Sequence, residues 1–386
     1  MTHEMIPVFD LERAVAAIRS ELDRRWSRLL TDRRFVGGDE VQTFERDFSR
    51  FLEVSESVGV ANGTDALMVA LRALGLEPGD EVIVPAFTFI ATAASVSWLG
   101  GRPVLADVEA GTLNLDPEQV EAKIRDRTVG VIGVHLYGRP FEVDAIRALC
   151  DTHDLWLIED AAQAHGARFD GRRVGSFGDV ATWSFYPSKN LGCFGDGGAI
   201  SGNNGELLER ARRLANHGRS RHYFHREVGI NSRLDSLQAA VLNCRLPGLE
   251  EDNARRREIA ARYRSRLDHF DELSFLEDDA RAEPVYHQLT IRLDARDALR
   301  GHLKERGIGS TVHYPHGLHQ QPAFEGLDLE PADYPVATRA AADVLCLPMF
   351  PELTTGEVDR VCDAIAEFFS GHRTANALRA SPVHAK

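Results

Sequence analysis

The sequence has no CxxC pair: its five cysteines (Cys150, Cys193, Cys244, Cys346 and Cys362) are odd in number and widely spaced. That pattern argues against a disulfide framework and against a zinc knuckle, and reduced thiols are expected. No stretch offers about 20 uninterrupted apolar residues, and residues 1–10 carry no apolar segment behind a basic one, so a soluble, cytoplasmic protein is expected. A basic stripe is missing too. The 45 lysines and arginines are scattered and the formal charge is -14, which argues against a surface for nucleic acid or anionic lipid. The glycine run from Gly192 to Gly198 follows a lysine loop and lacks both the GxGxxG spacing and a Walker lysine, so neither nucleotide motif is present. Internal repeats and low-complexity tracts are absent.

What is present is length and alternation. Chains of 386 residues form two domains more often than one. Residues 1–250 are expected to hold an N-terminal segment and a large domain, and residues 251–386 a smaller one with a disordered tail over the last dozen residues. Apolar runs at 58–61, 81–84, 102–106, 129–134, 155–159, 180–185 and 199–201 alternate with amphipathic stretches, the pattern of an α/β domain whose mostly parallel sheet is covered on both faces. A helix is expected over 64–74, with Leu67, Leu71 and Leu74 on one face and Gly75 ending it. Residues 234–267 read as two helices parted near Pro247. Beyond them, strands are expected at 285–292 and 310–312, and helices at 295–306 and 355–370.

Open α/β sheets bind ligands beyond the carboxyl ends of their strands. Lys189 sits at such a point, held by the turn around Pro187 rather than extended from a helix face, which suits an amine that carries a cofactor. Asp160 ends an upstream apolar strand. An ionised carboxylate there can keep a pyridine nitrogen protonated, so the pair suggests pyridoxal phosphate chemistry; taken alone, Asp160 could simply cap the next helix. After the first strand, Gly63 permits close approach and the helix start offers free N–H groups to an anion, although Thr64 is also a good N-cap. Ser184 ends a strand shortly before Lys189 and could add a phosphate contact. Phe87 and Phe89 follow the second strand, where an aromatic ring could lie on a cofactor or simply join the core. His313, His316 and His319 superficially suggest a metal set, but Pro315 and Gly317 interrupt them and no carboxylate or cysteine completes a site, so no metal is expected.

Taken in order, Asn62 to Leu67, Pro85 to Phe89, Glu159 to Gly166, the lysine loop, Gly229 to Asp235 and His313-Tyr314-Pro315 resemble the DegT/DnrJ/EryC1/StrS family of sugar aminotransferases. These are pyridoxal 5'-phosphate enzymes of the aspartate aminotransferase fold (fold type I), and the resemblance spans nearly the whole chain. It implies that Lys189 carries the cofactor, Asp160 holds its ring nitrogen, Gln163 lies near its ring hydroxyl, Phe89 stacks on it, and Gly63, Thr64 and Ser184 bind its phosphate. Asn231 would reach the phosphate of a neighbouring subunit, making a homodimer with shared sites. Arg233, His313, Tyr314 and His319 would contact substrate. The implied reaction moves an amino group from L-glutamate to a nucleotide-linked keto-sugar. The loop Lys189 to Gly192 with Gly195 to Gly198 is similar to that of members acting at C3. Amination at C4, or a regulator that binds the cofactor without turnover, are the alternatives. Relatives that replace the lysine with histidine act as dehydratases, and this chain keeps Lys189.

Overall fold

The computed structural model describes the backbone of residues 5–380 and the side chains of residues 5–371. Two helices come first, α1 (Leu11–Asp32), capped by the Asp10 carboxylate, and α2 (Asp39–Leu52). In α2 the helical spacing of Val41, Phe44, Phe48 and Leu52 buries one face. The alternating part then runs β1 (Glu56–Val60), α3 (Gly63–Leu74), β2 (Glu81–Pro85), α4 (Ala91–Trp98), β3 (Arg102–Ala106), α5 (Pro117–Lys123), β4 (Thr128–Val134), α6 (Val143–Thr152) and β5 (Trp156–Asp160). It continues with β6 (Val180–Ser184), β7 (Gly198–Gly202), α7 (Gly205–Leu214), α8 (Ser236–Arg245) and α9 (Leu249–Leu267).

One seven-stranded sheet results, in the order β1-β7-β6-β5-β4-β2-β3. The pairs from β6 across to β3 are parallel, while β7 runs antiparallel to both β1 and β6. Its strands are near-continuous apolar runs because both faces are covered: in β2, Val82 and Val84 join one core cluster and Ile83 joins another. The register aligns the carboxyl ends of four strands. Val60 and Ser184 both pair with Gly198, and Asp160 pairs with Val134 and Thr182.

After α9, the strands β8 (Ser274–Phe275), β9 (Leu289–Arg292) and β10 (Val344–Leu347) form a small antiparallel sheet, with α10 (Arg296–Glu305), α11 (Pro335–Asp343) and α12 (Thr355–Ala380) around it. Its core includes Tyr263, Leu289, Leu345 and Ile365, and also Ile6 from the start of the chain. Ile6 donates to Gly307 O (2.9 Å) and accepts from Gly309 N (2.8 Å). The expected boundary at 250 falls in the first turn of α9, but Ile6 packs with residues on the far side of it.

All seven expected strands of the large sheet are present within a residue or two. Pro247 parts α8 from α9 as a single 3-10 turn. The strand expected from 285 begins only at Leu289, since Tyr286 adopts a left-handed φ of 42° and Val285 N–H bonds to Gly138 O. At 310–312 there is a single bridge from Thr311 to Cys346 in place of a strand. The helix expected to end at 370 continues to Ala380, where an irregular tail was expected, and residues 381–386 lie outside the described part. No described helix is long and apolar enough to cross a membrane, and the five cysteines are free thiols.

Candidate active site

A cavity of about 510 Å³ opens at the aligned strand ends and is lined from β1, β5, β6, the lysine loop and the segments around His287 and His313. At its floor α3 begins. The Asn62 side chain caps the helix by accepting from Asp65 N (2.8 Å), and Asn62 O accepts from Ala66 N (3.0 Å). The N–H groups of Gly63 and Thr64 find no acceptor in the described protein and are free for an anion at the positive end of the helix. Gly63 is pressed against β6: a Cβ built on it would lie 2.7 Å from Ser184 Cβ. Only glycine lets these two backbones approach so closely, and the approach brings the Ser184 hydroxyl beside the helix start.

Asp160, 7% exposed, occupies the end of β5. Its side chain accepts from the Thr92 hydroxyl (3.0 Å) and from Ala162 N (3.3 Å). Burial pushes its pKa up, against the pull of those donors and of Lys189. Behind it, Glu159 is fully buried and accepts from the His135 ring (3.0 Å) and from the N–H groups of Gly175, Phe177 and Gly178 (2.6, 2.7 and 2.7 Å). Burial alone would raise the Glu159 pKa; His135 and the backbone donors outweigh it and hold the carboxyl below its ordinary value. His135 N–H also bonds to Asp160 O (3.1 Å), so this buried pair braces the strand end that carries Asp160.

Lys189 follows β6 in a tight turn closed by its own N–H to Tyr186 O (2.8 Å). Its amine reaches the cavity, where burial lowers its pKa to about 8 although Asp160 pulls the other way. Gln163 is fully committed to protein: Oε1 accepts from Tyr137 N (2.6 Å), and Nε2 donates to the Tyr314 hydroxyl (3.2 Å). The Tyr137 hydroxyl donates to His313 O. Burial pushes the Tyr314 hydroxyl's pKa up and the His313 pKa down. Phe89 hangs over the cavity, 53% exposed, its ring 6.0 Å from that of Tyr314.

Gly63, Thr64, Phe89, Asp160, Gln163, Ser184, Lys189, His313 and Tyr314 therefore share one cavity. Three other candidates stand apart from it. His319 stacks on Tyr334 (4.9 Å between ring centroids) and bonds to Thr338 (2.9 Å). Arg233 and Asn231 are exposed, with Arg233 bonded to Asn216 (3.3 Å). Of the three histidines between 313 and 319, His313 lines the cavity, His319 is buried beside Tyr334 and His316 is exposed. No cluster of three or more potential ligands could hold a metal among the described residues. Sequence reasoning missed Thr92, Tyr137 and His287, which meet the site only through long-range contacts.

The cavity suits pyridoxal phosphate. Free N–H groups and a serine hydroxyl wait at one end, a buried carboxylate with spare acceptor capacity lies on one side, and a lysine with a depressed pKa faces it.

The comparisons agree with this geometry. The profile of the DegT/DnrJ/EryC1/StrS aminotransferase family matches residues 16–366. The chain is 45% identical to a dTDP-3-amino-3,4,6-trideoxy-alpha-D-glucose transaminase of Streptomyces venezuelae, over 94% of this chain and 96% of the relative. It is 43% identical to a protein of Geobacillus stearothermophilus called a pleiotropic regulatory protein, over 94% and 98%. The crystal structure of S. venezuelae DesV in complex with a ketimine intermediate superposes with a TM-score of 0.93 at 45% identity, covering 95% of this chain and 99% of that one.

Proposed function

Because the chain belongs to the DegT/DnrJ/EryC1/StrS aminotransferase family, we propose that it moves an amino group from L-glutamate to C3 of a nucleotide-linked keto-sugar in amino-sugar biosynthesis. The observation that carries this reading is that Lys189 and Asp160 face one cavity above the open N-terminus of α3.

Pyridoxal phosphate, when bound, supplies an aldehyde carbon that an amine can join and a ring that withdraws electrons from the attached carbon. The protein's part is positioning and proton transfer. Gly63, Thr64 and Ser184 hold the phosphate, and Phe89 covers the ring face. Asp160, oriented by Thr92 and Ala162, bonds to the ring nitrogen and favours its protonated state. Lys189 Nζ takes a proton from the donor's α carbon and returns one on the other side of the transfer. A pKa of about 8 leaves roughly a tenth of this amine neutral at pH 7, compared with under a thousandth at the ordinary lysine value. Gln163 fixes the Tyr314 hydroxyl on the substrate side, beside His313. Asn231 and Arg233 serve the cavity of a second copy, so that two sites are shared across a homodimer. Their exposure, together with exposed Leu30, Phe35, Val36 and Ile230, supports that pairing.

The printed name of the Geobacillus relative favours a second reading, a pyridoxal-phosphate-binding regulator without turnover. The test is spectroscopic. L-Glutamate added to the cofactor-loaded protein should convert its pyridoxal absorbance to that of the pyridoxamine form, and a dTDP-linked 3-keto-sugar should reverse it with a 3-amino product visible by NMR. A 4-amino product would move the position of transfer to C4, and an unchanged spectrum would favour the regulator.

A further inference from the structure

His287 lines the cavity yet has no part in the chemistry above. It is 6% exposed, and its ring is anchored by one hydrogen bond, from Nδ1 to Asn190 Oδ1 (3.2 Å). The direction of that bond is fixed by two backbone carbonyls, which can only accept. Asn253 Nδ2 donates to His165 O (2.8 Å), so Asn253 Oδ1 is an acceptor. Asn190 Nδ2 donates to that oxygen and to Val285 O (both 3.0 Å), which turns Asn190 Oδ1 toward the imidazole. An amide oxygen cannot donate, so Nδ1 of His287 must carry the hydrogen. Burial disfavours the imidazolium, and the charged or titratable groups that act on it, Lys189, Arg256, His165 and His313, push the same way. The remaining nitrogen, Nε2, is therefore a bare lone pair, and it has no hydrogen-bond partner among the described residues.

We infer that His287 Nε2 is a specificity-determining acceptor that receives a hydrogen bond from a hydroxyl of the sugar bound in this cavity. A neutral acceptor of this kind rewards an O–H or N–H and repels carboxylate and phosphate oxygens. It therefore favours a polyol ring over either acid group of the amino donor. Its rigidity matters as much as its chemistry. The chain from α9 through Asn253 and Asn190 removes the ring flip and tautomer exchange that would let an exposed histidine offer a donor instead. The inference rests on the nucleotide-sugar reading.

The full-length protein can be tested with dTDP-α-D-glucose and its 2-, 4- and 6-deoxy analogues as calorimetric ligands. One analogue should bind about 5- to 15-fold more weakly than the parent sugar, the ratio expected for one neutral hydrogen bond of about 1–1.5 kcal/mol. In His287→Phe that difference should vanish while the other analogues keep theirs. Imidazole ¹⁵N shifts of the unaltered protein, which need no variant, should report the Nδ1–H tautomer at neutral pH. An Nε2–H tautomer or an imidazolium overturns the inference, as does equal binding of all analogues. A His287→Phe defect confined to the glutamate half-reaction would assign the acceptor to the donor's ammonium and also overturn it. If none of the dTDP sugars binds the unaltered protein, the nucleotide-sugar reading falls as well.

Discussion

Gly63→Ala tests how the phosphate end of the cavity is built. The added methyl would lie 2.7 Å from Ser184 Cβ and 3.3 Å from both Cα and Oγ of Ser184, against about 3.5–4.0 Å for relaxed carbon contacts. Ser184 cannot retreat. It pairs with Gly198 of β7, and β6 is held between two neighbouring strands. The start of α3 must lift by roughly 1 Å, at a cost of about 1–3 kcal/mol for overpacking. The free N–H groups of Gly63 and Thr64 move with it, so the dissociation constant for pyridoxal phosphate should rise about 5- to 150-fold. Equilibrium dialysis reads that constant, and a melting curve on the cofactor-free protein reads the strain separately. Adding Ser184→Gly removes the atoms met by the methyl and should restore the melting temperature while leaving binding weak, since the hydroxyl is gone too. The two single variants should then be non-additive in stability. Parent-like affinity together with a parent-like melting temperature in Gly63→Ala would refute the close approach.

Other perturbations reach the remaining parts of the site. Asp160→Asn should leave the fold intact and slow transamination by about 100-fold or more, as expected when a charge aimed at the reacting system is lost; a rate within threefold of the parent would remove Asp160 from the mechanism. Glu159→Gln breaks a buried pair and should cost about 3–5 kcal/mol in denaturant unfolding. The Glu159 pKa is depressed in the folded protein, so its stabilisation is complete above the ordinary value of 4.5. It is lost as pH falls through the lower folded value, and the variant should lack that acid-dependent loss. Lys189→Ala should lose turnover by several orders of magnitude. Mixed with an inactive Asn231 variant, it should regain partial activity through hybrid dimers with one intact site, whereas no recovery would mean self-contained sites.

The large sheet was legible because each strand is an apolar run bounded by a helix start, a local signal that survives without neighbours. α1, α2 and β10 were not foreseen. α1 buries little beyond Leu22 and Leu29, and β10 is a four-residue run directly following a helix. The antiparallel sense of β7 depends on a connection through the lysine loop, which carries no periodicity. Within the site, the residues at strand ends could be found from position alone, and resemblance added Gln163, His313 and Tyr314. Thr92 reaches Asp160 across 68 positions and His287 reaches Asn190 across 97, and contacts of that range leave no trace in spacing. His319 shares a motif with His313 but is drawn away by Tyr334 and Thr338.

The seating of Ile6 beside Ile308 bears on how the chain is made. One of the first residues to leave the ribosome has its permanent neighbour near the other end of the message. At about 5–20 residues per second, some 15–60 seconds separate their synthesis. Through that interval an apolar N-terminal stretch waits without its core, while the parallel strands made after it can already find one another. The amino terminus is thus a late closing piece, and the nascent chain is at its most adhesive before Ile308 emerges.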